Sequence, residues 1–149
     1  MDADFSHDPY DLTKLYDILQ QDKADVVVGS RYVRGIQVIT WPLSRILLSY
    51  FASLYVRLIT RMPIKDTTAG FVGYKKEVIQ AIIQENIRFS GYAFQIEMKF
   101  KAWIKNFRLM EIPVVFTDRM RGVSKMNRSI ISEAIFGIIL MKIKSWYAK

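Results

Sequence analysis

Two carboxylates separated by a single residue, Asp2 and Asp4, stand near the start of the sequence. In an extended turn both side chains can reach the same divalent cation, and their hard oxygen ligands suit Mg²⁺ or Mn²⁺. These metals typically also bind the phosphate oxygens of a substrate. The alternative is a solvated surface turn, in which such a pair recurs often. His7 follows closely, and we interpret it as an exposed loop histidine rather than a third metal ligand.

Two groups of basic residues could bind an anion. Residues 24–28 (ADVVV) are β-branched and predict a buried strand that ends at Arg31. A basic residue at the carboxyl end of such a strand points into the usual ligand crevice of an α/β sheet. Residues 119–128 contain basic side chains and no acid, and a loop of this kind, with Arg121 and Lys125, can close over phosphates. The alternatives are a surface arginine and a basic surface loop.

Residues 41–61 are mostly aliphatic and aromatic, yet polar residues recur at every fourth position. On a helix these residues form one narrow polar stripe, and they are Arg45, Ser49, Ser53 and Arg57. One interpretation is a core helix with a solvated edge. The other is a helix in a bilayer interface, with its stripe turned toward an anionic group.

The remaining elements follow from hydrophobic periodicity and turn residues. Helices are predicted for residues 8–22, 76–86 and 130–147, and a strand is predicted for residues 109–116, with Pro113 favouring an edge position. Residues 89–95 are predicted to be a loop that leads into a further helix, with Glu97 near its beginning. Glu97 is either paired with Lys101 one turn later or a carboxylate in a crevice.

The composition limits the classes of partner. The chain of 149 residues has no cysteine, is 51% hydrophobic and carries a formal net charge of +8. This charge favours an anionic partner, such as a phosphate-bearing substrate, an anionic membrane or a nucleic acid. The basic residues are scattered and no nucleic-acid reader motif occurs, so we predict no nucleic-acid partner. The best apolar window, residues 41–60, contains Arg45 and Arg57, so we predict no transmembrane helix.

Five stretches, in this order and spacing, resemble the dolichol-phosphate (polyprenol-phosphate) mannose synthases, which are inverting glycosyltransferases with the GT-A fold. They are MDADFSHDP, GSRYVRG, DTTAGFVGYKKEV, GYAFQIEMKFKA and EIPVVFTDRMRGVSKM. The resemblance implies an α/β protein with a partial GT-A fold, in which a mixed sheet is flanked by helices, some of them amphipathic and interfacial. It implies that residues 1–149 are a single catalytic-domain portion that lacks the amino-terminal nucleotide-binding half.

The resemblance also implies roles on the donor side. Asp2 and Asp4 match the motif that holds Mg²⁺ or Mn²⁺ on the diphosphate of a sugar nucleotide. Gln95 and Glu97 match a pair near the donor sugar. Because a lipid phosphate is already ionised near neutral pH, Glu97 is expected to position groups rather than to accept a proton.

On the acceptor side, Arg31, Arg45 and Ser49 match positions that bind the phosphate of the lipid. Arg121 and Lys125 match the mobile loop that closes on phosphates, where they would also contact the donor. The residues that the resemblance implies for catalysis are Asp4, Arg31, Glu97 and Arg121.

The implied reaction is transfer of mannose from GDP-mannose to a polyprenyl (dolichyl) phosphate, on the cytoplasmic face of a membrane to which the protein binds peripherally. The expected partners are GDP-mannose or another nucleotide sugar, the polyprenyl phosphate and the membrane surface. Two alternatives remain, a related glucosyltransferase and a catalytically incomplete membrane-surface module. We expect the chain alone to turn over weakly or not at all.

Overall fold

The computed structural model describes residues 6–117 and 128–147, without the side chains of residues 128–134 and 147. The described helices are α1 (Asp11–Gln20), α2 (Leu43–Thr60), α3 (Lys76–Ile83), α4 (Gly91–Ile104) and α5 (Arg128–Tyr147). The described strands are β1 (Val26–Ser30), β2 (Val38–Ile39), β3 (Val72–Tyr74), β4 (Leu109–Pro113) and β5 (Phe116–Thr117).

The main sheet is mixed and is centred on β1. Its strand order is β3-β1-β4, with β1 parallel to β4 and antiparallel to β3. Strands β2 and β5 form a separate parallel pair. Because β1 and β4 run in the same direction, their carboxyl ends meet at one edge of the sheet, where ligands usually bind in α/β folds.

Strand β1 is buried on both faces, as its β-branched run predicts. Val26 and Val28 pack into a core formed with α2, α3, α4 and α5, while Val27 packs on the opposite face against Leu15 of α1. This alternation follows the two-residue period of a strand. The sheet therefore lies between α1 on one side and the other helices on the other side.

Several predicted boundaries are wrong. Helix α4 begins at Gly91, so most of the segment predicted as loop is helical and Glu97 lies in the middle of the helix. Helix α3 ends at Ile83 rather than near residue 86. The strand predicted for residues 109–116 divides into β4 and β5. Pro113 is the last residue of β4, at one edge of the described sheet, which agrees with the edge position expected for proline.

Helix α2 is long and apolar but only lightly covered by the rest of the chain. Of its 18 residues, only Ser53, Val56 and Thr60 are buried. Within the described residues it is the one helix that is long and apolar enough, by length and composition, to cross a membrane. It packs against α5, where the Tyr55 hydroxyl donates a hydrogen bond to the carbonyl of Ile135 at 3.0 Å.

The close packing of β1 gives a test of the fold. A Cβ atom on Gly29 would lie 2.4 Å from Cδ1 of the buried Phe71 and 3.2 Å from its carbonyl oxygen. We therefore expect Gly29→Ala to lower the free energy of unfolding by about 1–3 kcal/mol, as overpacking usually does. The shift of the urea midpoint at constant m-value measures this change.

Gly70→Ala is the matched control. A Cβ atom at Gly70 would meet nothing within 4 Å, and its backbone is outside the left-handed region. The control should change stability by less than about 0.5 kcal/mol or raise it slightly. Equal destabilisation by the two substitutions would contradict the packing described around β1.

Candidate functional site

A buried ion pair lies at the carboxyl end of β1. Arg31 Nε donates to Asp66 Oδ2 at 2.7 Å and a terminal guanidinium nitrogen donates to Oδ1 at 2.6 Å. The backbone N–H of Arg31 also donates to Asp66 Oδ2, at 3.0 Å. Asp66 is 0% exposed and Arg31 is 8% exposed. This two-point contact fixes the plane of the guanidinium as well as its position.

Asp66 determines the electrostatic state of Arg31. Burial alone would lower the pKa of the Arg31 guanidinium, but hydrogen bonds and charge from Asp66 outweigh it and raise that pKa above its ordinary value. The arginine therefore stays charged. The same terminal nitrogen also donates to Thr68 Oγ1 at 2.9 Å, which ties Arg31 to a second residue of the loop before β3.

Glu111 of β4 holds the loop that carries Asp66. Its two carboxylate oxygens accept hydrogen bonds from the backbone N–H groups of Lys65 and Asp66, both at 2.8 Å. On the other side of the loop, Thr68 Oγ1 and Ser53 Oγ of α2 lie 3.1 Å apart. Asp66 is thus connected both to the sheet and to α2.

Trp41 brings two of the predicted phosphate ligands together. The guanidinium carbon of Arg45 lies 4.1 Å from the centroid of the Trp41 ring, and that of Arg31 lies 5.4 Å from it. Phe116 of β5 packs edge-on against the same indole, with centroids 5.0 Å apart. We call Arg31, Trp41, Arg45 and Asp66 the Arg31 cluster. Two cations lie against one aromatic ring, and because Asp66 neutralises one of them, the cluster keeps a net positive charge through Arg45.

Ser49, the third predicted acceptor ligand, is half-buried one helical turn after Arg45. It lies near the side chain of Tyr32, the residue after Arg31. Burial raises the pKa of the Tyr32 hydroxyl above its ordinary value, and Ser49 opposes this shift. The polar stripe of α2 therefore lies along the same edge as Arg31 at Arg45, Ser49 and Ser53.

Lys99 of α4 is buried beneath the same loop. It is 0% exposed, and its Nζ donates a hydrogen bond to the carbonyl oxygen of Ala69. Burial lowers the pKa of this amine to about 7, with Asp66 opposing and Arg31 adding to the shift. A lysine that titrates near neutral pH thus supports the loop that carries Asp66.

Glu97 and Gln95 occupy a different part of α4. One Glu97 oxygen accepts hydrogen bonds from the backbone N–H groups of Arg88 and Phe89 at 3.0 and 3.1 Å. The other lies 3.2 Å from Lys101 Nζ, so the predicted pairing one turn later is present. Within the described residues, no hydrogen bond or ion pair joins Glu97 to the Arg31 cluster. Gln95 is half-buried in the first half of α4.

The remaining predicted site residues lie outside the described residues, namely Asp2, Asp4, Arg121 and Lys125. In the part of the chain that is described, no group of three or more acidic, histidine or cysteine residues could hold a metal ion. His7 is not exposed as predicted. It is 8% exposed, stacks on Phe71 with centroids 4.7 Å apart and meets Phe116 edge-on at 5.0 Å.

Sequence reasoning missed three residues that support this site. Asp66 begins the stretch DTTAGFVGYKKEV, but nothing in the sequence predicts that it pairs with Arg31, 35 positions away. Glu111 and Lys99 had one available signal, since each is a charged residue within a largely apolar run of a strand or a helix. Such residues are rarely buried unless they have partners.

The mixed sheet flanked by helices, with cations at the carboxyl edge of its strands, is what we expect for part of a nucleotide-sugar transferase fold. The sequence profile of glycosyl transferase family 2 matches residues 1–83, which is more than half of the chain. The chain therefore belongs to glycosyl transferase family 2. This result confirms the predicted α/β, partial GT-A architecture.

Two curated relatives within this family are similar to most of the chain. The chain is 42% identical over 138 residues to the polyprenol monophosphomannose synthase of Mycolicibacterium smegmatis. It is 38% identical over 138 residues to the undecaprenyl-phosphate mannosyltransferase of Micrococcus luteus. Both alignments cover 93% of this chain but 52% and 56% of the relatives, so the chain spans about half the length of the curated relatives it matches. The predicted resemblance is confirmed.

The Arg31–Asp66 pair gives a second prediction. Arg31→Leu leaves a buried, unpaired carboxylate, so we expect a loss of about 3–5 kcal/mol in the free energy of unfolding. Replacing both residues with leucine should cost less than the sum of the single changes. A double-mutant cycle measured by urea unfolding gives the coupling energy.

An exposed pair on another part of the surface serves as the control. Lys105 and Glu85 are 2.7 Å apart but 32% and 40% exposed, so their coupling should stay below about 1 kcal/mol. Similar coupling energies for the two pairs would contradict the buried environment of Asp66.

Lys99 gives a third prediction, on pH. Its pKa is about 7 when folded and 10.5 ordinarily, so between these values the unfolded chain binds more protons. The free energy of unfolding contributed by Lys99 therefore rises with pH across that window. Lys99→Met should remove this rise, so its stability relative to wild type should be greatest near pH 6 and decline toward pH 10.

Thermal or urea unfolding at several pH values measures the difference. Lys76→Met, at an exposed lysine of α3, is the control and should leave the pH dependence unchanged. If Lys99→Met and wild type showed the same slope between pH 7 and 10, the amine would not be titrating in the folded protein as described.

Proposed function

We propose that the protein containing this chain transfers mannose from GDP-mannose to a polyprenyl phosphate. The observation that carries the proposal is the Arg31 cluster, in which two cations share one aromatic ring at the carboxyl edge of the sheet. The names of both relatives, polyprenol monophosphomannose synthase and undecaprenyl-phosphate mannosyltransferase, support the same acceptor class. A phosphate on a polyprenol is the anion that this edge would bind.

The geometry of Arg31 suits a phosphate ligand. Asp66 occupies Nε and one terminal nitrogen, and Thr68 shares that terminal nitrogen. Among the described residues, the other terminal nitrogen, Nη1, makes no hydrogen bond. In the proposal, Asp66 holds the guanidinium so that Nη1 donates to an acceptor phosphate oxygen. Arg45, fixed over Trp41, supplies the second charge.

The reaction then needs little proton transfer. An oxygen of the ionised lipid phosphate attacks the anomeric carbon of mannose, and the bond to the nucleoside diphosphate breaks with its electron pair. One phosphate ester forms and one nucleoside diphosphate leaves. Arg31 and Arg45 reduce the repulsion between two anionic substrates and hold the nucleophile in line, which supplies a large part of such rate enhancements.

Asp2 and Asp4 are the residues that would hold a divalent metal ion. Their carboxylates are hard oxygen donors and fit Mg²⁺ or Mn²⁺. When bound, such an ion neutralises charge on the leaving diphosphate. The carbonyl oxygen of Ser6, two residues after Asp4, accepts a hydrogen bond from the backbone N–H of Thr117. The chain just after the motif therefore lies beside β5, whose Phe116 packs on Trp41 of the Arg31 cluster.

We also propose that the protein lies peripherally on the cytoplasmic face of a membrane. Helices α2 and α5 pack together and expose large apolar side chains, including Leu43, Phe51, Leu58, Phe136 and Trp146. The polar stripe of α2 is bonded to the domain at Ser53, which favours a helix lying in the interface over one surrounded by lipid.

The structure also offers one observation in support of each of two other functions, a glucosyltransferase and a membrane-surface module. A glucosyltransferase would use the same acceptor site, because Arg31 and Arg45 contact phosphate and not the sugar in this proposal. A membrane-surface module without activity would need only the exposed faces of α2 and α5. The sugar donor that is used distinguishes the glucosyltransferase from the mannosyltransferase, and the presence of turnover distinguishes both from the module.

The experiment is a transfer assay on a chimera, in which this chain replaces the aligned region of the Mycolicibacterium smegmatis relative. We expect mannosyl-lipid from GDP-mannose, a polyprenyl phosphate and Mg²⁺ or Mn²⁺. Asp4→Ala and Arg45→Ala should each lower the rate by at least a hundredfold, a loss typical of groups that stabilise transition-state charge.

Lys23→Ala, an exposed cation before β1, is the charge-matched control and should keep full activity. Transfer from UDP-glucose instead of GDP-mannose would favour the glucosyl alternative. A folded chimera without turnover, but with membrane binding intact, would favour the module.

A further inference from the structure

A cavity of about 350 Å³ lies beside α2, beyond the Arg31 cluster. We call it the Arg57 cavity. Its lining includes Tyr32, Ile36, Tyr50, Leu54, Arg57 and Lys65. The volume lies at the lower end of the range for small-molecule sites, about 300–1,000 Å³. The lining includes two cations and no acid.

The local structure explains why the cavity exists. Tyr50, Leu54 and Arg57 lie at positions i, i+4 and i+7, so they share one face of α2. The opposite wall is the turn after β1, where Gly35 has a φ of +92°. Lys65 Nζ donates to the carbonyl of Val33 at 3.3 Å, which joins the turn to the loop before β3.

The charge of Arg57 is uncompensated within the described structure. Its side chain is exposed, and no described residue gives it a hydrogen bond or an ion pair. Lys65 contributes a second positive charge at the same cavity, and its Nζ bonds only to a neutral carbonyl among the described residues. Two cations without a carboxylate favour an anionic ligand.

The Arg57 cavity is separate from the acceptor site in the proposed function. Arg57 lies 12 residues after Arg45 on the same helix, which corresponds to about 18 Å along the axis. None of Arg31, Arg45 or Asp66 lines the cavity. The two sites adjoin at Tyr32, which lines the cavity and whose ring centroid lies 5.3 Å from the guanidinium carbon of Arg31.

The rest of the lining indicates what is attached to the anion. Ile36 and Leu54 are aliphatic, and Tyr50 packs edge-on against Tyr32 with centroids 5.6 Å apart. A free inorganic anion would use none of this apolar surface. The same helix exposes Phe51 and Leu58, the residues that would contact lipid in the proposed membrane position.

We propose that the Arg57 cavity binds the phosphate head group of an anionic membrane phospholipid, with the glycerol and first acyl carbons against Leu54 and Ile36. The inference rests on the proposed membrane position of α2, but not on the transfer reaction. It gives the protein a second phosphate site that anchors α2 in a defined orientation, while the Arg31 cluster stays available for the acceptor.

The test uses the purified chain and dihexanoyl phosphatidylglycerol below its micelle concentration, with binding followed by calorimetry. We expect saturable binding of one lipid per chain. Arg57→Gln should weaken it at least tenfold. Arg61→Gln, which removes an exposed cation one turn later and outside the cavity, should weaken it less than twofold. If both variants lost the same affinity, the binding would depend on overall positive charge rather than on the cavity, and the proposal would be overturned.

A second pair of variants tests the cavity itself without changing charge. Leu54→Trp fills it and should abolish binding, whereas Leu58→Trp adds the same side chain at a position that is 70% exposed and should leave binding intact. Circular dichroism must show that both variants fold. Undiminished binding to folded Leu54→Trp would overturn the cavity as the site.

Two further measurements distinguish a phospholipid from free phosphate as the ligand, and the phospholipid proposal from the proposed transfer function. Inorganic phosphate should bind at least tenfold more weakly than the lipid, and equal affinity would overturn the phospholipid assignment. In the chimera, Arg57→Gln should weaken binding to vesicles that contain phosphatidylglycerol, yet keep the transfer rate with detergent-dispersed acceptor. If the chimera without substitutions showed no transfer but still bound the lipid, the proposed transfer function would be rejected and the proposed phospholipid site would stand.

Discussion

The buried ion pair of Arg31 and Asp66 is the constraint on which the positive edge of the sheet depends. Removing two charges from water costs several kcal/mol each, so the pair persists only with good geometry and further hydrogen bonds. Glu111 supplies these by binding the backbone of the Asp66 loop, and Thr68 adds a second acceptor for the guanidinium. The pair therefore joins β1, β4 and the loop before β3.

The orientation of helix α2 depends on the same ion pair and its loop. Ser53 contacts Thr68 of the Asp66 loop, and Arg45 lies over Trp41, so the polar stripe faces the sheet edge. Its apolar residues then have no core to enter on the outer side, and they remain exposed. The interpretation of a core helix with a solvated polar edge is therefore wrong, because Ser53 of that edge is buried and the apolar face is exposed. The interpretation of a helix in a bilayer interface stays a prediction.

The local elements were largely predictable because they depend on short-range patterns. The β-branched run before Gly29 gave the central strand, and polar residues at every fourth position gave α2. Boundaries were less predictable where turn residues occur inside an element. Gly91 suggested a loop, yet the helix begins there, since the residues after it pack on the core. Pro113 ends β4 because it has no N–H group for a ladder bond.

The amino-acid sequence by itself determined the chemical inventory of this protein: the acidic pair, the arginines, the amphipathic helix and the motifs of a glycosyltransferase. Only the tertiary structure decided which of these groups meet. The pairing of Arg31 with Asp66, and of Lys99 with the carbonyl of Ala69, spans 35 and 30 positions, and no periodicity encodes such distances. Buried charges must find partners, but the fold selects which partners lie within reach.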